Sequence, residues 1–159
     1  EGVDKRIDVI ATAMAAGITA TGLMDLELSY APQFASAKDP INMLGYVNEN
    51  RALGERSVQW HEVDDLVADG WRLIDVRTSG EHSRGAIPGS KLITLDELRE
   101  HVEDLAGQKI IVTCRVGQRG HTAASILRQE GIEVANLDGG YLTWQMGTAA
   151  RTPTELVTT

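Results

Sequence analysis

The amino-acid sequence predicts an α/β fold built on a mainly parallel sheet. Two observations carry that expectation. From about residue 55 onward short apolar runs alternate with segments of helical periodicity, the order expected when helices cover both faces of a sheet. The run Ile110-Ile111-Val112 is apolar at consecutive positions, as a strand buried on both faces requires. The composition, 42% hydrophobic and 24% charged among 159 residues, is that of a globular chain, with length for one ordinary domain with its own core or for a compact domain with an added segment.

The elements follow in order. From Asp4 to Ala16 the residues Ile7, Ile10, Ala11 and Met14 recur at helical spacing, and Gly17 is a stop signal. Asp39-Pro40 reads as an N-cap and first helical position, with Ile41, Leu44 and Val47 on one face of the helix that follows. The turn-ended segment Leu26–Pro32 has no assigned structure, no strand able to complete a core is expected in 1–54, which reads as part of something larger, and the polar stretch 48–56 suits a linker or helix end. Beyond it, strands are predicted at Ser57–Trp60, Arg72–Val76, Leu92–Leu95, Lys109–Thr113 and Ile132–Leu137. Helices are predicted at His61–Ala68, with Val63, Leu66 and Val67 inward, at Leu95–Leu105 and at His121–Glu130, and a closing helical turn or two at Gly139–Met146. The expected organisation is 1–54, then 55–148 as the α/β domain, then a polar tail over 149–159.

Composition also excludes function classes. The net charge of −8 opposes wrapping nucleic acid or adhering to an anionic membrane, because both need a positive field. No apolar stretch is long enough to span a bilayer. The start, Glu1-Gly2-Val3-Asp4-Lys5, has neither a basic apolar leader nor an initiator methionine, so a cytoplasmic protein fragment is expected. One cysteine cannot form an internal disulfide or a thiolate zinc cluster, and no pair among His61, His82, His101 and His121 has metal-ligand spacing, so no metal is expected.

That cysteine, Cys114, directly follows the Lys109–Thr113 strand, and ligands of open parallel sheets gather at the carboxyl ends of strands. The loop Arg115-Val116-Gly117-Gln118-Arg119-Gly120 leads into a helix, so its backbone N–H groups and the helix N-terminus can converge on a negative centre. Gly117 and Gly120 would permit backbone conformations that a β-carbon opposes. Such a field favours a nucleophilic thiolate. A lone cysteine is commonly a small buried hydrophobe; its strand-end address, the glycines and Arg115 and Arg119 weigh for a reactive sulfur. His121 reads as a helix-start residue rather than a base. Asp75 and Arg77 end another strand, where a structural ion pair is the simpler reading and support of the site the functional one. Trp144 could wall a pocket or pack the last helix.

The segments Leu73-Ile74-Asp75-Val76-Arg77, Glu81-His82, Gly85-Ala86-Ile87-Pro88-Gly89-Ser90, Cys114 to Gly120, and Leu137-Asp138-Gly139-Gly140-Tyr141-Leu142-Thr143-Trp144 resemble, in this order, the rhodanese-like domain. The resemblance runs from about Ser57 to Gly147. It implies that Cys114 is the catalytic nucleophile, that residues 115–120 bind substrate, and that sulfane sulfur is held as a persulfide and passed to a thiol or cyanide. The family commonly has His where Ala86 stands and Ser where Gly120 stands. Phosphatases of the same fold need an arginine after five intervening residues, whereas Cys114 and Arg119 enclose four, so sulfur transfer is favoured. An anionic donor such as thiosulfate or a polysulfide is expected, with Arg119 either attracting it or folding back to brace the loop.

The stretch Asp25 to Pro32, continuing from Ser36 to Met43, resembles the end of the dimerisation domain of flavin-dependent coenzyme A disulfide reductases. The resemblance implies a short helical remnant of that domain before a five-stranded rhodanese-like domain, a missing flavoprotein part of the same chain, and a homodimeric intact enzyme using FAD, NAD(P)H and coenzyme A. Tyr30 matches a tyrosine near the coenzyme A site. This chain itself is expected to hold no cofactor: it has no G-x-G-x-x-G fingerprint and no second cysteine. The rival expectation is a non-catalytic rhodanese-like binding or docking module.

Overall fold

The computed structural model describes residues 2–34 and 36–151. The chain forms two compact units, Glu1–Gly54 and Glu55–Thr159.

In the first unit, α1 (Val3–Ala15) and α2 (Pro40–Ala52) flank a 3-10 turn at Thr21–Asp25, and no strand occurs among its described residues. The Asp39 carboxylate caps α2 by accepting the Ile41 N–H at 2.9 Å, with Pro40 at the first helical position. The face of α2 that packs differs from the one predicted. Ile41 and Gly45 are buried, while Leu44 and Val47 are exposed. The reason is close approach: a β-carbon at Gly45 would collide with the Met24 backbone. Asn42 secures the same contact, its Nδ2 donating to the carbonyls of Leu23 at 3.1 Å and Leu26 at 2.9 Å. Ile7 and Met14 of α1 are exposed.

The second unit is a five-stranded, wholly parallel sheet of β1 (Arg56–Val58), β2 (Arg72–Asp75), β3 (Lys91–Leu92), β4 (Lys109–Thr113) and β5 (Glu133–Leu137) in the order β1-β5-β4-β2-β3. Its helices are α3 (Val63–Ala68), α4 (Ser79–Ser83), α5 (Val102–Leu105), α6 (Gln118–Gln129) and α7 (Gly140–Arg151). Side chains on β4 alternate between two cores, as a period of two demands. Ile110, Val112 and Cys114 join Ala123, Ala124 and Leu127 of α6 on one face; Ile111 joins Val58, Val63 and Leu137 on the other. That two-sided burial is why β4 reads as an unbroken apolar run, Ile110-Ile111-Val112.

Differences from the sequence expectation lie mostly at element ends, with one helix added and one divided. Trp60 leaves the strand for a 3-10 turn, Trp60–Glu62, whose Glu62 carboxylate accepts the Gln59 N–H at 2.7 Å, so α3 begins only at Val63, and Val67 is exposed. The edge strand β3 is two residues long, and 95–105 breaks into a 3-10 turn (Leu98–His101) and α5. A helix not predicted, α4, is set by a capping box in which Thr78 and Glu81 exchange hydrogen bonds. The closing helix α7 is longer than predicted, so residues 149–151 of the expected polar tail are helical; 152–159 lie outside the described residues. Helix α6 starts three residues before His121, at Gln118, because Gly117 supplies its N-cap.

Candidate active site

The central strand β4 ends at buried Thr113 and delivers Cys114, 1% exposed, to the bottom of the turn into α6. Two backbone donors at the start of α7 hold this turn from outside: the Tyr141 N–H bonds the Cys114 carbonyl at 2.8 Å and the Leu142 N–H bonds that of Arg115 at 3.1 Å. Gly140 makes this possible. At φ +60 its missing β-carbon leaves room for the Cys114 carbonyl, which any side chain would strike. With these carbonyls engaged by α7, the Gly117 N–H donates to Cys114 Sγ at 3.1 Å. Gly117 sits at φ +97, a left-handed conformation that glycine adopts without strain, and it opens the twelve-residue α6, whose dipole is positive at this end.

The predicted loop residues separate. Arg115, Val116 and Gln118 are exposed, whereas Gly120 is buried in the first turn of α6. Gly120 needs no unusual backbone angle: a β-carbon there would collide with Asn136 Oδ1, so it is a close-packing glycine rather than a loop one. Arg119 folds back. Its guanidinium forms two 2.7 Å hydrogen bonds to the Glu81 carboxylate, a fork-to-fork geometry. Those bonds are the main cause that pulls the Glu81 carboxyl down from 4.5 to about 2; burial opposes the shift and the Thr78 hydrogen bonds add to it. Arg119 is raised in turn, first by its bond to Glu81, with the Cys114 and Asp75 charges adding to the effect.

At the end of β2, Asp75 and Arg77 are both buried and paired, Nε and Nη2 of Arg77 donating to Oδ2 of Asp75 at 2.9 and 2.6 Å. Arg77 also donates to the Gly85 carbonyl at 2.7 Å and stacks 4.3 Å from the Tyr141 ring centroid. A cleft of about 330 Å³ opens here, lined by Arg77, Glu81, Arg84, Arg115 and Tyr141 among others. It meets the cysteine turn at Arg115. Trp144 packs in the core beside Tyr141, so it is Tyr141, which the sequence reading did not single out, that walls the cleft. Arg84 and Asn136 were also missed, and Glu81, named only within the resemblance, was given no role. The Thr78-x-x-Glu81 capping spacing and a single amide inside an apolar strand were the available signals. His121 Nδ1 lies 2.8 Å from the Glu55 carboxylate, which occupies it. Tyr30 is exposed in the other unit. Among the described residues, no three His, Cys, Asp or Glu side chains cluster as a metal site would need, and no helix is long and apolar enough to cross a membrane.

Known proteins resemble this arrangement. The chain is 48% identical to the crystal structure of reduced Bacillus anthracis CoADR-RHD over 95% of its length, with a TM-score of 0.88, and covers 28% of that chain. It is 34% identical to a NAD-dependent persulfide reductase from A. fulgidus, over 89% of this chain and 26% of that one, with a TM-score of 0.74. A coenzyme A disulfide reductase of Staphylococcus aureus is 52% identical over 46 residues, 29% of this chain and 10% of that protein. The chain thus spans only a small part of these relatives. The family model described as the rhodanese-like domain matches residues 59–146, more than half of the chain and the whole stretch from the end of β1 to the middle of α7. The strand-end cysteine and the parallel sheet around it are therefore those of a member of the rhodanese-like domain family, to which this chain belongs.

Proposed function

We propose that Cys114 carries sulfane sulfur as a persulfide and hands it to a thiol. The observation that supports this most is the Gly117 N–H directed at Sγ at the positive end of α6. With thiosulfate as donor, the Cys114 thiolate attacks the outer sulfur, the S–S bond of thiosulfate breaks, sulfite leaves, and Cys114 holds the terminal sulfur as Cys–S–S⁻. An acceptor thiolate then attacks that sulfur, forming its own persulfide and returning the Cys114 thiolate. Arg84 and Arg115, solvent-facing at the cleft, supply a local positive field for an anionic donor in a chain of net charge −8. Arg119 is committed to Glu81, which leaves a phosphate without the arginine that its transfer requires.

The burial of Cys114 within the core cluster is what favours the second reading, a binding module that presents the fold without turnover. Mass spectrometry after incubation with thiosulfate decides between them. A gain of one sulfur that disappears in Cys114→Ser supports transfer. No gain, or a gain that survives Cys114→Ser, sinks it. Release of phosphate from an aryl phosphate is expected to be nil.

The likeness to longer reductases supports a wider setting: a cytoplasmic, homodimeric enzyme in which a flavoprotein part holds FAD and NAD(P)H, reduces a disulfide or persulfide of coenzyme A, and exchanges sulfur with Cys114. Within this chain the strand–helix turn after β4 carries the cysteine in place of a dinucleotide-binding glycine motif. Tyr30 would contact coenzyme A in that assembly. The isolated chain should accordingly not oxidise NAD(P)H.

A further inference from the structure

Asn136 is a polar residue between the buried apolar Ala135 and Leu137 near the end of β5, 7% exposed and in phase with Val134 on the side of the sheet that α6 covers. A buried amide in that position is unfavourable unless it is bonded. Its Nδ2 donates to the Gly117 carbonyl at 3.1 Å, while its Oδ1 is buried without a hydrogen-bond partner against Gly120. The opposite amide orientation would bring two oxygens together at Gly117, so the donor side is held toward the loop. Gly117 is the same residue whose N–H reaches Cys114 Sγ.

From this chain of contacts we infer that Asn136 is the positioning residue for the reactive loop. Together with the His121 N–H of α6, which donates to the same carbonyl at 2.9 Å, it clamps Gly117 in its left-handed conformation and so keeps the N–H aimed at the sulfur. Gly120 is its counterpart: a side chain there would push the amide off Gly117. The catalytic atom stays on Cys114, and Asn136 acts only through the Gly117 peptide. This role rests on the sulfur-transfer reading for its purpose, but the geometry can be tested without it.

The experiment compares wild type, Asn136→Leu and Gly120→Ala in two assays, alkylation of Cys114 by iodoacetamide at neutral pH and sulfur loading from thiosulfate, with Tm measured for each. Leu keeps the branched outline of Asn, with more bulk, and removes both the bond to Gly117 and the unpartnered oxygen, so the Tm measurement separates a packing cost from the effect on the sulfur. Loss of an N–H directed at a thiolate should slow alkylation by about tenfold, the scale of one charge-assisted hydrogen bond. Gly120→Ala should slow it in the same direction, and the double variant should be no slower than Asn136→Leu alone, since both act on one contact. A merely structural role gives the opposite sign, because a loosened loop exposes the buried sulfur and speeds alkylation. Faster or unchanged alkylation in Asn136→Leu overturns the inference. If Asn136→Leu fails to fold, Gly120→Ala alone decides by the same sign. Wild type that alkylates but never loads sulfur would sink the sulfur-transfer reading and leave the alkylation comparison standing.

Discussion

β2 and β4 lie side by side in the sheet, with Asp75 opposite Thr113, and each ends where a loop leaves the core, yet β2 is closed by side chains and β4 by backbone. At the end of β2 the charges of Asp75 and Arg77 neutralise one another under cover. At the end of β4 the loop carbonyls are taken up by α7, and an N–H is left facing a thiol. The difference teaches which end is scaffold. A buried pair that satisfies itself orients the surrounding loops; a backbone cradle with a donor in reserve can stabilise an anion formed during a reaction.

The largest expected effect tests the β4 end alone: Cys114→Ser should abolish sulfur loading while the protein still folds, with a modest fall in Tm because a smaller, more polar hydroxyl replaces a thiol in the core cluster. Next is the β2 end. Asp75→Ala leaves Arg77 buried without its partner and should cost about 3–5 kcal/mol in urea unfolding, as breaking buried pairs does. If it costs no more than a surface change, β2 is not the scaffold. Arg119–Glu81 bridges the contrast, being an ion pair whose members are 34% and 22% exposed. Because the Glu81 carboxyl is pulled down from 4.5 to about 2, its contribution is full above about pH 4.5 and is lost as the pH falls toward 2. Glu81→Gln should therefore destabilise at neutral pH, by about 1 kcal/mol after solvent screening, and match wild type near pH 2. A difference that persists at pH 2 would remove the ion pair as its source. The smallest effect belongs to the cleft. Arg84→Gln should raise KM for thiosulfate about threefold with kcat nearly unchanged, and added salt should shrink the gap.

Much of the fold was legible because its cause is local. Lys109–Thr113 is a strand in the structure over the residues the apolar run marks, and Asp39-Pro40 starts α2 where a side-chain acceptor followed by proline should. The packing face of α2 was not legible, since Leu44 and Val47 share the periodicity of Ile41 but only Gly45 lets Met24 approach. The site divides in the same way. Cys114 stood out as the lone cysteine after a buried strand. The roles of Gly117 and Gly120 looked alike in sequence, yet one has φ +97 and the other is an ordinary helical residue pressed on Asn136. Arg119 carried two readings, donor attraction and bracing, and Glu81, 38 positions away, takes it up.

By itself the sequence determined the α/β class, the strand that delivers Cys114 and the absence of a general positive field, because periodicity, apolar runs and charge are properties of neighbouring residues or of simple sums. Only the tertiary structure decided which arginine is neutralised, which aromatic ring walls the cleft and which glycine is there for conformation. Those outcomes depend on contacts between residues tens of positions apart, Glu81 with Arg119, Arg77 with Tyr141 and Asn136 with Gly117, and no local pattern records which partner a side chain will meet.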